Sequence, residues 1–163
     1  MNRINNLFEQ KKGNILSIYF TAGYPKLNDT NTILNSLQEA GADLVEVGIP
    51  FSDPLADGPV IQQSSTIALQ NGMNLELLFD QLRSLRQKTL IPVLLMGYIN
   101  PILKFGIEKF YFACSEVGID GLILPDLPLQ EFDQCHKPLA EKYNIHVVFV
   151  KQSSILFLIF FKR

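Results

Sequence analysis

The stretch Leu44-Val45-Glu46-Val47-Gly48-Ile49-Pro50-Phe51-Ser52-Asp53-Pro54-Leu55-Ala56-Asp57-Gly58-Pro59 puts one carboxylate inside an apolar run and another in the segment that follows. Side chains of an extended chain alternate between faces, so Leu44, Glu46 and Gly48 share one face while Val45, Val47 and Ile49 share the other. The branched face suits packing against helices, which turns Glu46 to the inner side. Stranding an isolated charge in low dielectric costs on the order of several kcal/mol, so a carboxylate there is paired, neutral or employed.

Working outward, apolar runs of strand length lie at residues 15–21, 43–49, 92–97, 121–126 and 146–150. Between them Ile33, Leu34, Leu37 and Ala40 recur at helical spacing, as do Leu75, Leu78, Phe79, Leu82 and Leu85, and then Ile107, Phe110, Tyr111 and Cys114. A weaker helix is expected over 129–143, kinked or divided at Pro138. Glu39-Ala40-Gly41-Ala42-Asp43 and Glu116-Val117-Gly118-Ile119-Asp120 echo each other: each closes a helix and opens a strand, with Gly41 and Gly118 in the left-handed position that ends the helix. The second interval between strands is about 20 residues longer than the others, and the surplus carries Asp57. Pro59, Val60, Ile61, Ser64, Ile67 and Ala68 predict a short extra helix inside that surplus, ended at Gly72. The βα alternation gives an α/β fold. It fits a partial TIM (β/α)8 barrel of about the first five β/α units, open rather than closed, and it also fits an open doubly wound sheet.

The 163 residues, 47% of them hydrophobic, with a net charge of −2, read as one domain over residues 1–149 followed by a divergent apolar tail at 150–163. This balance argues against nucleic-acid and anionic-membrane partners. The start, Met1 to Phe8, lacks the apolar core of a secretory signal and reads as that of a cytoplasmic protein. Cys114 and Cys135 lie apart with no Cys-x-x-Cys, and His136 and His146 have no ligand partners at metal spacing, so reduced buried thiols and packing or solvated histidines are expected.

The spelling of the opening stretch is similar to that of the tryptophan synthase α-subunit family, whose hallmark is Glu-hydrophobic-Gly-hydrophobic-Pro followed by Phe-Ser-Asp-Pro-hydrophobic-Ala-Asp-Gly-Pro; residues 46–59 match it without departure. Tyr19-Phe20-Thr21-Ala22-Gly23-Tyr24-Pro25, Leu95-Met96-Gly97-Tyr98-Ile99-Asn100-Pro101 and Leu124-Pro125-Asp126-Leu127-Pro128 follow the family order, and the likeness runs from about Leu7 to Phe149. It decides for the barrel over the doubly wound sheet. It implies a carbon–carbon lyase of tryptophan biosynthesis that cleaves indole-3-glycerol phosphate to indole and glyceraldehyde 3-phosphate. No metal or cofactor is implied for this chain, since the pyridoxal phosphate belongs to the β subunit of an α2β2 assembly.

Carried over by the resemblance, Glu46 is the acid/base and Asp57 the acceptor for the indole N–H, and the two are expected to face one cavity. Tyr19, Leu95 and Ile123 are implied to line the indole pocket, and Asp53, Pro54 and Asn100 to touch the β partner, with Asn100 in a loop. The same residues have plainer readings. Glu46 could be a satisfied buried carboxylate, Asp57 a turn former or helix cap, Asp53 a turn residue, and the apolar three ordinary core. A complete barrel takes roughly 250 residues and eight strands, and the family's phosphate-binding loops after the seventh and eighth strands have no counterpart here. The tail departs from the family pattern, with seven apolar residues at 155–161 bounded by basic ones, and reads as the product of a frameshift or an early stop. At about 20 residues for a bilayer span it is too short to cross, and it reads as a strand in search of a partner. Two rivals follow: a non-catalytic fragment that only binds the β subunit, and another phosphate-handling barrel enzyme.

Overall fold

The computed structural model describes residues 2–54, 57–153 and 156–161, with the backbone alone described over 150–161. Leu55 and Ala56 of the motif, and Ile155 of the tail, lie outside the described residues. Helix α1 (Arg3–Gln10) precedes β1 (Ser17–Thr21), α2 (Thr30–Glu39), β2 (Leu44–Gly48), α3 (Pro59–Gln70), α4 (Leu75–Leu82), α5 (Leu85–Lys88) and β3 (Val93–Met96). There follow α6 (Ile99–Phe105), α7 (Ile107–Val117), β4 (Gly121–Ile123), α8 (Leu129–Glu131), a π-helical turn (Phe132–His136), α9 (Lys137–Tyr143), β5 (His146–Ser153) and β6 (Leu156–Phe161). The sheet runs in order from β1 to β6; β1 to β5 are parallel and β6 returns antiparallel on β5. It does not close, so β1 and β6 are its edges.

One face of each strand packs under the helices. Val45, Val47, Val93, Leu95, Leu122 and Val147 join Leu34, Leu78, Leu82, Phe110, Cys114 and Ala140 in the larger core. The inner face is smaller, with Leu44, Leu94, Ile123 and Val148 packed on Ile4, and Leu7 and Met96 beside them. Two glycines set the helix-to-strand turns as the internal echo predicts. Gly41 (φ 93°) and Gly118 (φ 82°) take positive φ, and Ala42 N–H and Ile119 N–H reach back to the Leu37 and Cys114 carbonyls at 3.0 and 2.8 Å.

Helix α1 was not foreseen, yet its signals are local: Asn2 caps it by accepting from Ile4 N–H at 2.9 Å, and Ile4, Leu7 and Phe8 recur on one face. The apolar stripe of residues 75–85 divides into α4 and α5 because Ser84 (φ −96°, ψ 8°) leaves the helical region. Over 129–143 the division precedes Pro138, in the π-helical turn. Proline has no N–H to give the carbonyl four residues back, and the wider turn accommodates its ring. That turn leaves His136 wholly buried against Tyr111, Oη to Nδ1 3.1 Å, and Cys135 exposed. The expectation of two buried thiols therefore holds for Cys114 and is corrected for Cys135.

Asp120 is the densest polar junction. Only 2% exposed, its carboxylate accepts from Arg3 at 3.0 Å, from Arg86 and from Val93 N–H at 2.9 Å, and its main-chain oxygen accepts from Asn2 and from His146 N–H. Arg86 also donates to the carbonyls of Gly118, Thr89 and Ile91, so its desolvated guanidinium is satisfied on several sides. Asp120→Asn leaves Arg86 with no anionic partner in a largely buried site. It is expected to lose about 3–5 kcal/mol of unfolding free energy by urea titration, and Asp120→Asn with Arg86→Met less than the sum of the two single changes.

Burial holds the His136 and His146 imidazoles below their usual pKa of 6.5. Between that value and the depressed one the unfolded chain binds protons that the folded chain refuses, so stability falls as pH falls below 6.5. His136→Gln, which keeps an acceptor for Tyr111, is expected to make that loss shallower when urea midpoints are compared on either side of pH 6.5.

Candidate active site

Parallel register builds the site from the strands. Tyr19, Glu46, Leu94, Gly121 and His146 form one row across the sheet, and Thr21, Gly48, Met96, Ile123 and Val148 form the next. Since Leu94, Ile123 and Val148 belong to the inner cluster, Glu46 and Tyr19 stand on the inner face as alternation requires. Glu46 is half-buried and accepts from Ser17 Oγ at 2.6 Å. With the sheet open beside β1, it is paired without being sealed.

Asp57 lies in the connection after β2, two residues before Pro59 starts α3. Its N–H donates to the Pro54 carbonyl at 3.0 Å, and its own carbonyl accepts from Gln62 at 2.9 Å. Its Oδ2 accepts from Tyr98 Oη at 3.2 Å, and the Tyr98 ring packs on Phe51 with centroids 5.2 Å apart. Burial lifts the Asp57 carboxyl above its ordinary value, and the Tyr98 hydroxyl opposes that shift. Tyr98 precedes α6, whose first N–H, on Ile99, is held by the Asp126 carboxylate at 3.0 Å, a favourable place for an anion. Asn100 accordingly sits in the first turn of α6, which corrects its assignment to a loop.

Among the described residues the two carboxylates line different cavities. Glu46 lines one of about 270 Å³ with Phe8, Ile15, Ser17, Leu44, Leu94 and Ile123. Asp57 lines a space of about 10 Å³ with Tyr19, Ile49, Pro54, Met96, Tyr98 and Pro125 among its walls. Tyr19 is in register with Glu46 and lines the Asp57 space, and burial first, then the charges of Asp57 and Glu46, push its phenol above the usual value. Of the other residues assigned to the pocket, Ile123 is on the inner face beside Glu46. Leu95, 0% exposed, is in the helix-side core with Val47 and Leu122 and is not brought to the carboxylates. Of the residues expected to face a partner, Asp53 and Asn100 are exposed, whereas Pro54 is buried against the Asp57 space. Among the described residues no three His, Cys, Asp or Glu side chains gather as for a metal ion, and no helix is long and apolar enough to cross a membrane.

One carboxylate on an inner strand position and a second in the following βα connection is the arrangement of a barrel enzyme, whose chemistry sits at the C-terminal ends of strands. Comparison with known proteins agrees. A sequence model of the family described as "Tryptophan synthase alpha chain" matches residues 5–155. The tryptophan synthase alpha chain of Parabacteroides distasonis is 56% identical over 148 residues, 91% of this chain and 58% of that one. That of Flavobacterium psychrophilum is 55% identical over 150 residues, 92% and 59% of the two chains. The crystal structure of tryptophan synthase subunit alpha from Legionella pneumophila superposes with a TM-score of 0.83 at 40% identity, over 90% of this chain and 57% of that one. With its motif, its open run of five parallel strands and these matches in agreement, the chain belongs to the tryptophan synthase alpha chain family, and it spans about 58% of the length of the curated relatives it matches.

Proposed function

We propose that this chain contributes the proton-handling half of an indole-3-glycerol-phosphate lyase in tryptophan biosynthesis, releasing indole and glyceraldehyde 3-phosphate. The observation that carries the reading is the placement of Glu46 and Asp57 on one strand and its connection, with Tyr19 in register with the first and in the wall of the space at the second. Retro-aldol cleavage needs three events at the substrate. The glycerol hydroxyl loses its proton, the ring carbon that leaves gains one, and the ring N–H is held as charge spreads over the indole. Glu46, half-buried and accepting a single short hydrogen bond from Ser17 at 2.6 Å, is suited to take the first proton and return one to the ring. Asp57, anchored by Tyr98, is suited to accept the N–H. Ile123 supplies apolar wall beside Glu46.

In this reading Asp53 and Asn100, both exposed, face a β subunit that holds the pyridoxal phosphate, and the work is cytoplasmic. Asn100 shares a groove of about 530 Å³ with Phe51 and Ser52, which supports a contact surface continuous with the Asp57 connection. These 163 residues lack the glycine-rich loops that grip phosphate, and remote binding energy of that kind normally drives such chemistry. A second reading, binding to the β subunit without turnover, is favoured by the small size of the Asp57 space.

The test uses two proteins. A polypeptide of these 163 residues is expected to release little or no indole from indole-3-glycerol phosphate, and retention on immobilised β subunit without turnover would select the second reading. Residues 1–149 grafted onto the C-terminal part of a complete alpha chain are expected to be active. In that chimera Glu46→Gln is expected to lower kcat by about 10²–10⁴-fold with an unchanged melting temperature; full turnover by the variant would end the assignment.

A further inference from the structure

Glu46 has a hydroxyl on either side of it along the inner face. Ser17 pairs with Leu44 and Tyr19 with Glu46 in the parallel register of β1 and β2. Positions two residues apart on one face lie about 6.6 Å apart along a strand. The Ser17 hydroxyl donates to Glu46 Oε1 at 2.6 Å, so the carboxylate leans one position toward the N-terminal ends of the strands. The cavity of about 270 Å³ that it lines has Phe8, Ile15, Ser17 and Leu44 among its walls. The connection that carries Asp57 leaves β2 from the opposite end, and among the described residues its space shares no wall with that cavity.

The second hydroxyl stands on the Asp57 side. A Cβ added to Gly48 would lie 2.1 Å from the Tyr19 hydroxyl oxygen, which therefore sits over Gly48, the next inner position of β2 after Glu46. That is about 6.6 Å along the strand, within reach of an extended glutamate side chain and one hydrogen bond. The neighbour of Glu46 on β3, Leu94, is apolar and offers the carboxylate no donor. Nor is the Tyr19 proton tightly engaged. Ser64 donates its single proton to the Ile61 carbonyl at 2.9 Å, so in the 2.7 Å pair of Thr21 and Ser64 the donor is Thr21. Tyr19 then donates to Thr21 at 3.3 Å, the long end of the range, and a carboxylate is a stronger acceptor than that hydroxyl.

We propose that Glu46 is a two-position carboxylate: it rests on the Ser17 hydroxyl and crosses to the Tyr19 hydroxyl, on the side of Asp57, to carry out its proton transfers. The inference rests on the lyase reading and adds to it two positioning residues, both acting through Glu46. Ser17 holds the resting position and Tyr19 the working one.

Two measurements test it. In the 163-residue chain with isotope-labelled glutamate carboxyls, the infrared band lost in Glu46→Gln belongs to Glu46. That band is expected to move in Ser17→Ala and to stay in place in Tyr19→Phe. In the chimera with a complete C-terminal part, Ser17→Ala is expected to raise kcat about 3-fold, the size of one modest hydrogen bond at an exposed position. Tyr19→Phe is expected to lower kcat about 10-fold, and in both variants KM is nearly unchanged. Ser17→Thr, which keeps the hydroxyl, is expected to retain the parental kcat. A merely structural role for Ser17 would leave kcat unchanged or lower it. An unmoved band or no rise in kcat with Ser17→Ala, or full turnover by Tyr19→Phe, overturns the two-position carboxylate, while the lyase reading is judged separately by Glu46→Gln. Should Ser17→Ala not fold, Ser17→Val, suited to a strand, takes its place. A chimera that releases no indole overturns the lyase reading and this inference together.

Discussion

A buried carboxylate, Asp120, fixes the base of this sheet. It joins the N-terminal helix through Arg3, the strand before it through Val93 N–H, and the α5 region through Arg86, while its carbonyl engages Asn2 and His146. Few positions could be less forgiving, because removing one member leaves charge in low dielectric with no partner. Val93 N–H and His146 N–H both donate to Asp120, which ties β3, β4 and β5 together at this junction, while the row that carries Tyr19 and Glu46 rests on the pairing of β1 with β2.

On the inner face polar and apolar side chains share rows. Tyr19 and Glu46 stand in one row with Leu94, while Ile123 and Val148 stand in the next, and Ile4 and Leu7 of α1 pack on the apolar members. Parallel strands give such rows naturally, since side chains in register stack row upon row and the connections, Asp57 in the one after β2, all leave from one end. Glycine at position 48 is the small detail on which this arrangement turns. It lets an aromatic ring lie across the strand where a side chain would otherwise stand.

The relation of sequence to structure differs by element. Strands β1 to β5, helices α2, α3 and α7 and the turns at Gly41 and Gly118 were legible because each is written in local periodicity and backbone preference. Helices α1 and α6 were missed for different reasons. The first was overlooked although Asn2 capped it, while the second begins at Ile99-Asn100-Pro101, a spelling that also suits a loop, and is fixed by Asp126 from the next connection. Tyr98 as the anchor of Asp57 and Ser17 as the partner of Glu46 are contacts across 41 and 29 residues that no local pattern encodes.

What the sequence alone determined is the family, the alternation of strands and helices, and the inward aim of Glu46, because a two-residue period and a long motif need no knowledge of distant partners. What only the tertiary structure decided is which of the candidate residues meet. Leu95 went to the helix side and Pro54 beneath the surface, while Glu46 and Asp57 came to line different spaces, with Tyr19 in register with the first and in the wall of the second's space. Those outcomes depend on register, on an open sheet edge and on one missing Cβ, and such relations exist only once strands far apart in the chain are laid side by side.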